Sequence, residues 1–321
     1  MQCRICGDTG EHVTYQVREL MLGLRDEHAY FQCQSCGCLQ IEAVPDNLPD
    51  YYPSENYYSY DAPSSGNWLK QQLVQQRDRY AVTGESLAGR LLNLVMPNAK
   101  LRTLRPLKLK ADTKILDVGC GAGILLHSLY NIGLHNLLGI DPFNQQDIQY
   151  PNGLKIEKRD IFSEQDKWDV IMFHHSFEHL PEQQKTLEKT YNQLKPGGIA
   201  LLRVPTVSSY AWQHYGVNWS QLDAPRHLFL HSVESIGKLA EQTGFTVEDV
   251  VYDSNAFQFW GSEQYEKDIP LRSEHSWAES KEKSPFTSKE IRGFEKRAHE
   301  LNALNQGDQA AFYLRKPMAE S

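Results

Sequence analysis

The stretch I-L-D-V-G-C-G-A-G, residues 115–123, is the most informative part of the sequence for the fold class. A short apolar strand runs into a glycine-rich loop, and an apolar helix follows the loop. Glycines at 119, 121 and 123 spell G-x-G-x-G, whereas a dinucleotide-binding loop needs G-x-G-x-x-G. The third glycine of that fingerprint would stand where this chain has Ile124. The spacing therefore favours a nucleotide-type ligand and disfavours an NAD-dependent enzyme.

Strands and helices alternate beyond this loop. After the first strand, the second, third and fourth apolar segments end at Asp141, Asp160 and Phe173. A fifth predicted strand follows a predicted K-P-G-G turn at 195–198. This alternation predicts a mainly parallel sheet covered on both faces, with ligands at the carboxyl ends of its strands. Asp117 in the first strand adds a third acid at these ends. The second strand's acid can accept both ribose hydroxyls, and the third strand's acid can reach an adenine.

Five motifs in this order resemble the class I S-adenosylmethionine-dependent methyltransferases: the loop above, G-I-D-P, R-D-I-F, W-D-V-I-M-F-H-H-S-F-E-H-L and L-K-P-G-G. The resemblance covers roughly residues 111–317. It implies a Rossmann-like, mostly parallel sheet of seven strands, the last antiparallel, and S-adenosylmethionine as cofactor. The resemblance also implies which residues bind each part of the cofactor. Asp141 would bind the ribose, and Asp160 with Ile161 would bind the adenine. The methionine part would be bound by the backbone of His174 and by Asp117, Gly119, Cys120, Gly121 and Gly123. The Cys120 side chain itself is expected to be a small packing group.

Cysteines concentrate at the N-terminus, where five of the six lie in the first 38 residues. Cys3 with Cys6, and Cys33 with Cys36, form two C-x-x-C-G turns. Each turn directs two thiolates to one point, and the glycine lets the backbone fold tightly around a metal. A closed set of four thiolates is structural rather than catalytic. The pattern predicts a zinc ribbon over residues 1–45, with a reactive dithiol or two unrelated pairs as alternatives.

Two further parts follow the predicted ribbon. Residues 46–110 join a tyrosine-rich segment at 51–60 to helices, and residues 111–321 form the methyltransferase domain. An insert at 206–230, rich in aromatic and polar side chains, follows the fifth strand. We expect this insert to be a lid over the methyl donor, where a sugar ring could stack and hydrogen-bond. The alternative is a lid whose side chains are satisfied within the core.

The stretch F-H-H-S-F-E-H-L, residues 173–180, holds most of the candidates for catalysis. His175, Glu178 and His179 spell H-x-x-E-H, which marks zinc hydrolases when both histidines share one helix. Here an apolar strand precedes them and a proline-initiated helix follows, so they are predicted to lie in a loop. Methyl transfer to a hydroxyl or a carbon acid needs a base, which histidine can supply near neutral pH. The candidate bases are His175, His179 and His227, and Glu178 would orient one of them.

The acceptor is inferred from a narrower resemblance. L-D-A-P-R-H-L-F-L-H-S, residues 222–232, is similar to methyltransferases of surface-glycan and sugar biosynthesis, which can also carry an N-terminal cysteine pair. The expected acceptor is therefore an oxygen or carbon of a small molecule, a sugar or sugar conjugate. One alternative is an RNA methyltransferase whose ribbon binds RNA, although the net charge of −8 disfavours a nucleic-acid partner. Another is a non-catalytic protein that binds S-adenosylmethionine.

The overall composition is that of a globular chain, with 40% hydrophobic and 23% charged residues. No apolar run is long enough for a membrane span, and the first residues lack the pattern of a signal peptide. The expected location is therefore the cytoplasm, where cysteines are reduced and available as ligands. The sequence leaves the oligomeric state open.

Overall fold

The computed structural model describes residues 1–52 and 68–318, so most of the predicted tyrosine-rich segment lies outside the described residues. The strands are β1 (Val13–Arg18), β2 (Glu27–Gln32), β3 (Leu39–Ile41), β4 (Ile115–Val118), β5 (Leu137–Ile140), β6 (Ile148–Gln149), β7 (Lys155–Glu157), β8 (Trp168–His174), β9 (Leu194–Pro205), β10 (Phe229–Leu230), β11 (Thr246–Tyr252) and β12 (Gln309–Arg315). The helices are α1 (Trp68–Thr83), α2 (Leu87–Val95), α3 (Ala99–Arg102), α4 (Ile124–Asn131), α5 (Gln183–Gln193), α6 (Tyr210–Tyr215), α7 (Val233–Gln242), α8 (Phe257–Glu266) and α9 (Ser288–Ala303). None of the helices in the described parts of the chain combines the length and apolarity that crossing a bilayer requires.

The large sheet has the strand order β11-β12-β9-β8-β4-β5-β7-β6. Its middle pairs, from β9 across to β7, are parallel, and β12 runs antiparallel to both of its neighbours. The sequence predicts seven strands, and the described residues contain eight in this sheet, because the two-residue β6 pairs antiparallel with β7 at one edge. The fold is a Rossmann-like methyltransferase fold with a mixed sheet.

Two local details differ from the predictions. The third strand was expected to reach Asp160, but β7 ends at Glu157, and Asp160 instead caps a short 3-10 helix at Ile161–Ser163. The K-P-G-G segment was expected to be a turn, but it is part of β9, where the pairing with β8 shifts register. Both errors have the same cause: the types of residue in a segment do not determine its backbone hydrogen bonds, and those hydrogen bonds define where a strand ends.

Side chains that alternate along the central strands fill two separate cores. In β9, Ala200 and Leu202 face one core, and Ile199 and Leu201 face the other. This is the two-residue period of a strand buried on both faces. The first core also contains the cysteine-rich N-terminus, the 206–230 insert and helices α5 and α7. The second core is closed by α1, α3 and α4.

The N-terminal strands are joined to the insert. β1, β2 and β3 form a small sheet whose fourth strand is β10, with Leu230 opposite Leu39. The Tyr30 hydroxyl donates to the His227 carbonyl oxygen at 2.9 Å, and the Ser232 hydroxyl donates to that of Cys36 at 2.5 Å. The cysteine-rich segment and the insert are therefore packed as one layer over one face of the large sheet.

Candidate active site

The glycine loop after β4 is held in shape by the end of β5. Asp141, the acid predicted to hold a ribose, is buried and accepts hydrogen bonds from the Gly121 and Phe143 amides at 2.8 and 2.9 Å. The Asn144 amide group donates to the Gly121 carbonyl oxygen at 2.9 Å. These bonds fix the loop before any ligand arrives. The Asp141 carboxylate thus supports the loop directly, and its remaining lone pairs can accept further hydrogen bonds.

Two glycines of the loop are required by both backbone conformation and space. Gly119 has φ +72°, and a Cβ there would lie 2.4 Å from the Cβ of Ser176. Gly123 has φ +75° where α4 begins, and its Cβ would lie 2.4 Å from Cδ1 of Ile156. The Ser176 hydroxyl also donates to the Val118 carbonyl oxygen at 2.6 Å. The glycine loop and the histidine-rich loop after β8 are therefore in direct contact.

Asp117 supplies a buried polar atom that suits a ligand. Its Oδ1 has no hydrogen-bond partner among the described residues, and the residue is almost fully buried. Burial raises the pKa of Asp117 well above its usual range, and the nearby Asp141 carboxylate adds to the effect. Leaving such an oxygen unpaired costs about 1–3 kcal/mol, so a ligand that donates a hydrogen bond here would be favoured. The amino group of S-adenosylmethionine is such a donor, and the residues fit this cofactor.

The remaining predicted cofactor residues differ in exposure. Asp160 is exposed and its Oδ1 accepts from the Ser163 amide at 3.1 Å, whereas Ile161 is buried. His174 ends β8, and burial lowers its pKa well below the usual range, while its Nε2 has no partner among the described residues. The Cys120 thiol is held neutral because burial raises its pKa. The roles of these residues toward the cofactor stay predictions.

His175 and Glu178 form the closest pair among the candidate catalytic residues. His175 Nδ1 lies 3.3 Å from Glu178 Oε1, with the His175 side chain 32% exposed and that of Glu178 fully buried. The His175 backbone is left-handed, at φ +53°, and its amide donates to the Arg203 carbonyl oxygen at 2.9 Å. A non-glycine residue held in this region is strained by about 1–3 kcal/mol, and such strain concentrates at functional sites. The strained backbone directs the imidazole toward the carboxylate on one side and toward open space on the other.

Glu178 is a buried anion surrounded by imidazoles. Its Oε1 is 3.9 Å from Nε2 of His227, and neither carboxylate oxygen has a well-formed hydrogen bond among the described residues. Burial alone would raise its pKa, but the contact with His175 and the nearby His179 outweigh burial and lower the pKa to about 2. Glu178 is therefore charged at neutral pH and can orient a neighbouring imidazole.

His179 and His227 are anchored by backbone carbonyl groups. His179 Nδ1 is 2.9 Å from the Arg226 carbonyl oxygen, and His227 Nδ1 is 2.8 Å from the Gln221 carbonyl oxygen. The two rings meet edge to face at 4.7 Å. Burial lowers the pKa of His179 to about 4, so this imidazole is neutral near pH 7. The His179 ring therefore donates from Nδ1 and keeps a lone pair on Nε2.

This arrangement also contains atoms that could hold a metal ion. Glu178, His179 and His227 each offer a ligand atom, and these atoms lie within 4.8 Å of one another. Two histidines and one carboxylate suit a divalent transition metal. The H-x-x-E-H prediction is confirmed as a loop: Phe177–His179 form a 3-10 turn, and α5 begins only at Gln183. The two histidines of the motif therefore do not share one helix, as a zinc hydrolase would require.

The insert supports this cluster with a buried ion pair. Arg226 is nearly fully buried, and it pairs with the carboxylate of Asp223 and donates to the Tyr51 carbonyl oxygen at 3.1 Å. The Leu228 amide donates to the Glu178 carbonyl oxygen at 2.9 Å. The insert was expected to offer aromatic side chains to a ligand, but Trp212, Tyr215 and Trp219 are buried in the core. These three rings stabilise the insert and are not available for stacking on a sugar.

Two aromatic residues were missed as site residues. The Tyr52 hydroxyl is 3.1 Å from His179 Nδ1, and the Tyr52 ring stacks on Phe143 with centroids 6.2 Å apart. Phe143 is 74% exposed, two residues after Asp141. A large apolar side chain directly after a strand-ending D-P was the available signal in the sequence. Tyr52 belongs to a segment whose composition gave no reason to choose one tyrosine over another.

The four predicted zinc ligands lie together. Cys3 Sγ is 3.6 Å from Cys36 Sγ, Cys6 Sγ is 3.6 Å from Cys33 Sγ, and all four sulfur atoms lie within 4.8 Å of one another. A tetrahedral zinc with bonds of about 2.3 Å has sulfur–sulfur edges of about 3.8 Å. The hydrogen bond with Cys36 lowers the pKa of the Cys3 thiol to about 4, although burial opposes it. The cluster has the size and the donor set for one zinc ion.

Comparisons with known proteins find similarity to methyltransferases. Residues 91–250 match a family model described as a methyltransferase domain. The ubiquinone biosynthesis O-methyltransferase of Pseudomonas fluorescens is 26% identical over 192 residues, which are 52% of this chain and 82% of that protein. The protein of the same name from Paraburkholderia phytofirmans is 32% identical over 124 residues, 32% of this chain and 53% of that protein. A solved structure of an S-adenosylmethionine-dependent methyltransferase from Archaeoglobus fulgidus is 20% identical, with 72% of this chain and 100% of that chain covered and a TM-score of 0.43.

Proposed function

We propose that this chain, which is a class I S-adenosylmethionine-dependent methyltransferase, methylates an oxygen or an acidic carbon of a small molecule with His175 as the general base. The observation that carries the proposal is the His175–Glu178 pair, with Nδ1 and Oε1 3.3 Å apart at the end of β8. A carboxylate this close to one imidazole nitrogen favours the tautomer with its proton on that nitrogen, and the other nitrogen can then take a proton. His175 is also more exposed than Glu178, so it can reach an acceptor.

The proposed roles divide between the two loops at the strand ends. When bound, S-adenosylmethionine supplies an electrophilic methyl group on a sulfonium centre. Asp117 and the glycine loop hold the methionine part, Asp141 the ribose, and Asp160 with Ile161 the adenine. His175 Nε2 removes the proton of the acceptor, Glu178 stabilises the resulting imidazolium, and His179 and His227 frame the carboxylate. Such a base adds about 10²–10⁴ to the rate.

The acceptor class is supported from two sides. The relatives named above are O-methyltransferases of ubiquinone biosynthesis, which supports an oxygen acceptor on a small molecule. The resemblance of residues 222–232 to enzymes of glycan and sugar biosynthesis supports a sugar or sugar conjugate. Both lines of support point to a small-molecule acceptor with an ionisable hydroxyl or an acidic carbon. The proposed base would remove the proton from that oxygen or carbon.

The proposed ribbon, residues 1–45, has a structural zinc on Cys3, Cys6, Cys33 and Cys36. Its support is the size of the sulfur cluster and the donor set described above. Since β3 pairs with β10 and the insert carries His227, this zinc would stabilise the layer that holds the catalytic cluster. That role favours a small-molecule enzyme over one that uses the ribbon to capture RNA.

The test is a methyl-transfer assay with tritiated S-adenosylmethionine and three acceptor sets: aromatic hydroxyl compounds, nucleotide sugars and total RNA. We expect label in one of the two small-molecule sets, and a loss of about 10²–10⁴ in turnover for His175→Ala with unchanged cofactor affinity. His299→Ala is the matched control, since His299 is exposed on α9. Full turnover in His175→Ala would place the base elsewhere, and label only in RNA would overturn the proposed acceptor class.

A further inference from the structure

The helix α2 presents its apolar side to solvent. Leu87, Leu91, Leu94 and Val95 are 84%, 68%, 75% and 81% exposed. At positions i, i+4, i+7 and i+8 they share one face of the helix. Single exposed leucines are common on protein surfaces, whereas a contiguous apolar face marks a site of interaction.

The opposite side of α2 explains why this face points outward. A Cβ on Gly89 would lie 2.1 Å from the backbone oxygen of Gln76 and 2.6 Å from Cβ of Tyr80, both on α1. The glycine thus allows the helix to pack its narrow side closely against α1. The Ser86 hydroxyl accepts from the Gly89 amide at 2.9 Å and fixes the start of the helix. Because the Gly89 side of α2 packs against α1, the opposite side with the leucines faces solvent.

The segment that contains α2 is cationic, although the exposed Glu85 lies one residue before the helix N-cap. Residues 86–111 contain six cationic and no acidic side chains, in a chain whose net charge is −8. The six are Arg90, Lys100, Arg102, Arg105, Lys108 and Lys110. Arg90 lies on α2 beside the leucine face, and Lys100, Arg102, Lys108 and Lys110 are exposed. An apolar helix face bordered by cations is complementary to an anionic lipid surface, where apolar side chains enter the interface and cations contact headgroups.

We propose that α2 docks this protein on anionic membrane surfaces, with Leu87, Leu91, Leu94 and Val95 in the interface and the exposed cations Arg90, Arg102, Lys108 and Lys110 at the headgroups. The acidic remainder of the chain is repelled from such a surface, so the patch also sets the orientation. The proposal is independent of the proposed acceptor and of the catalytic base. It differs from a membrane span, because α2 would lie in the interface plane.

The test is cosedimentation of the full chain with phosphatidylcholine vesicles that do or do not contain phosphatidylglycerol. We expect binding only to the anionic vesicles, and we expect it to weaken as salt is added, because surface charge is screened. Leu91→Glu and Val95→Glu should abolish binding, and Arg90→Gln with Arg102→Gln should weaken the partition coefficient about fivefold per cation. Leu304→Glu should bind like the wild type, since Leu304 is an exposed leucine outside this patch.

Three results would overturn the proposal. One is no binding to phosphatidylglycerol vesicles, and another is binding that Leu91→Glu and Val95→Glu leave unchanged. The third is a wild-type chain that sediments as a dimer without lipid and becomes monomeric in Leu91→Glu, which would make the face an interface between two copies. Methyl-transfer activity of each variant in the absence of vesicles confirms that the α2 variants are folded.

Discussion

Replacing Gly119 with alanine tests the contact between the glycine loop and the histidine loop. At φ +72° an alanine costs about 1–2 kcal/mol in backbone strain. Its Cβ would also lie 2.4 Å from the Cβ of Ser176, and relieving such an overlap costs about 1–3 kcal/mol. We expect the free energy of unfolding in urea to fall by about 2–5 kcal/mol in total. A shift of roughly 1 Å at Ser176 should also reduce turnover about 10²-fold, because it moves the adjacent His175.

The control for this variant is Gly133→Ala. Gly133 has φ +104° with no atom within 4 Å of a built Cβ, so its substitution carries backbone strain without overlap. The double variant Gly119→Ala with Ser176→Gly removes the clashing Cβ, and it should show a coupling energy of about 1–3 kcal/mol with partial recovery of turnover. Equal stability and equal turnover for Gly119→Ala and Gly133→Ala would contradict the predicted overlap between the two loops.

Four further variants test the rest of the site and the cysteine cluster. Glu178→Gln should keep cofactor affinity, lower turnover by about 10²–10⁴ and move the acid limb of the kcat/KM profile to lower pH, because the lost carboxylate favoured the protonated imidazole of the base. An unshifted limb would contradict the orienting role. Cys36→Ser should lose zinc by elemental analysis, whereas Cys38→Ser should retain it, because the Cys38 sulfur lies outside the four-sulfur cluster. Asp223→Asn leaves the buried Arg226 without its closest carboxylate, and it should lower the free energy of unfolding by about 3–5 kcal/mol in urea, a value near zero being the contrary result.

The pH dependence of the proposed base follows from its surroundings. Burial, followed by the positive charge of Arg203, lowers the pKa of His175 from its ordinary value of about 6.5. The imidazole is therefore neutral at pH 7, and kcat/KM should be flat there and fall only as the pH drops below 6.5 toward the lowered pKa. A profile that still rises between pH 7 and pH 8 would mean that a group of higher pKa limits the rate.

Local patterns in the sequence were sufficient for the parts of the site that local geometry determines. The glycine spacing at 119–123 predicted the loop, and the apolar run ending at Phe173 predicted that the histidines follow a strand. The position of Asp160 was predicted less well, because Ile161 and Phe162 continue an apolar pattern although Asp160 caps a 3-10 turn. The sequence alone does not distinguish an aspartate that caps a 3-10 helix from one that ends a strand.

Long-range contacts could not be predicted in this way. β10 has two residues, too few to show a strand period, and its partner β3 lies about 190 residues earlier in the chain. Arg226 was predicted only as a polar residue of the insert, yet its guanidinium lies 3.8 Å from Glu19 and donates to the backbone of Tyr51. Burial of a charge depends on partners that only the folded chain brings together.

The most direct test of the account is a crystal structure with S-adenosylhomocysteine bound. In that structure the homocysteine part is expected to lie on Gly119, Gly121 and Asp117. The sulfur is expected to face a space bounded by His175, with Nε2 close enough to reach an acceptor hydroxyl directly or through one water. A sulfur atom that points away from residues 175–179, or an adenosine that lies outside the Asp141 and Asp160 strand ends, would contradict the account.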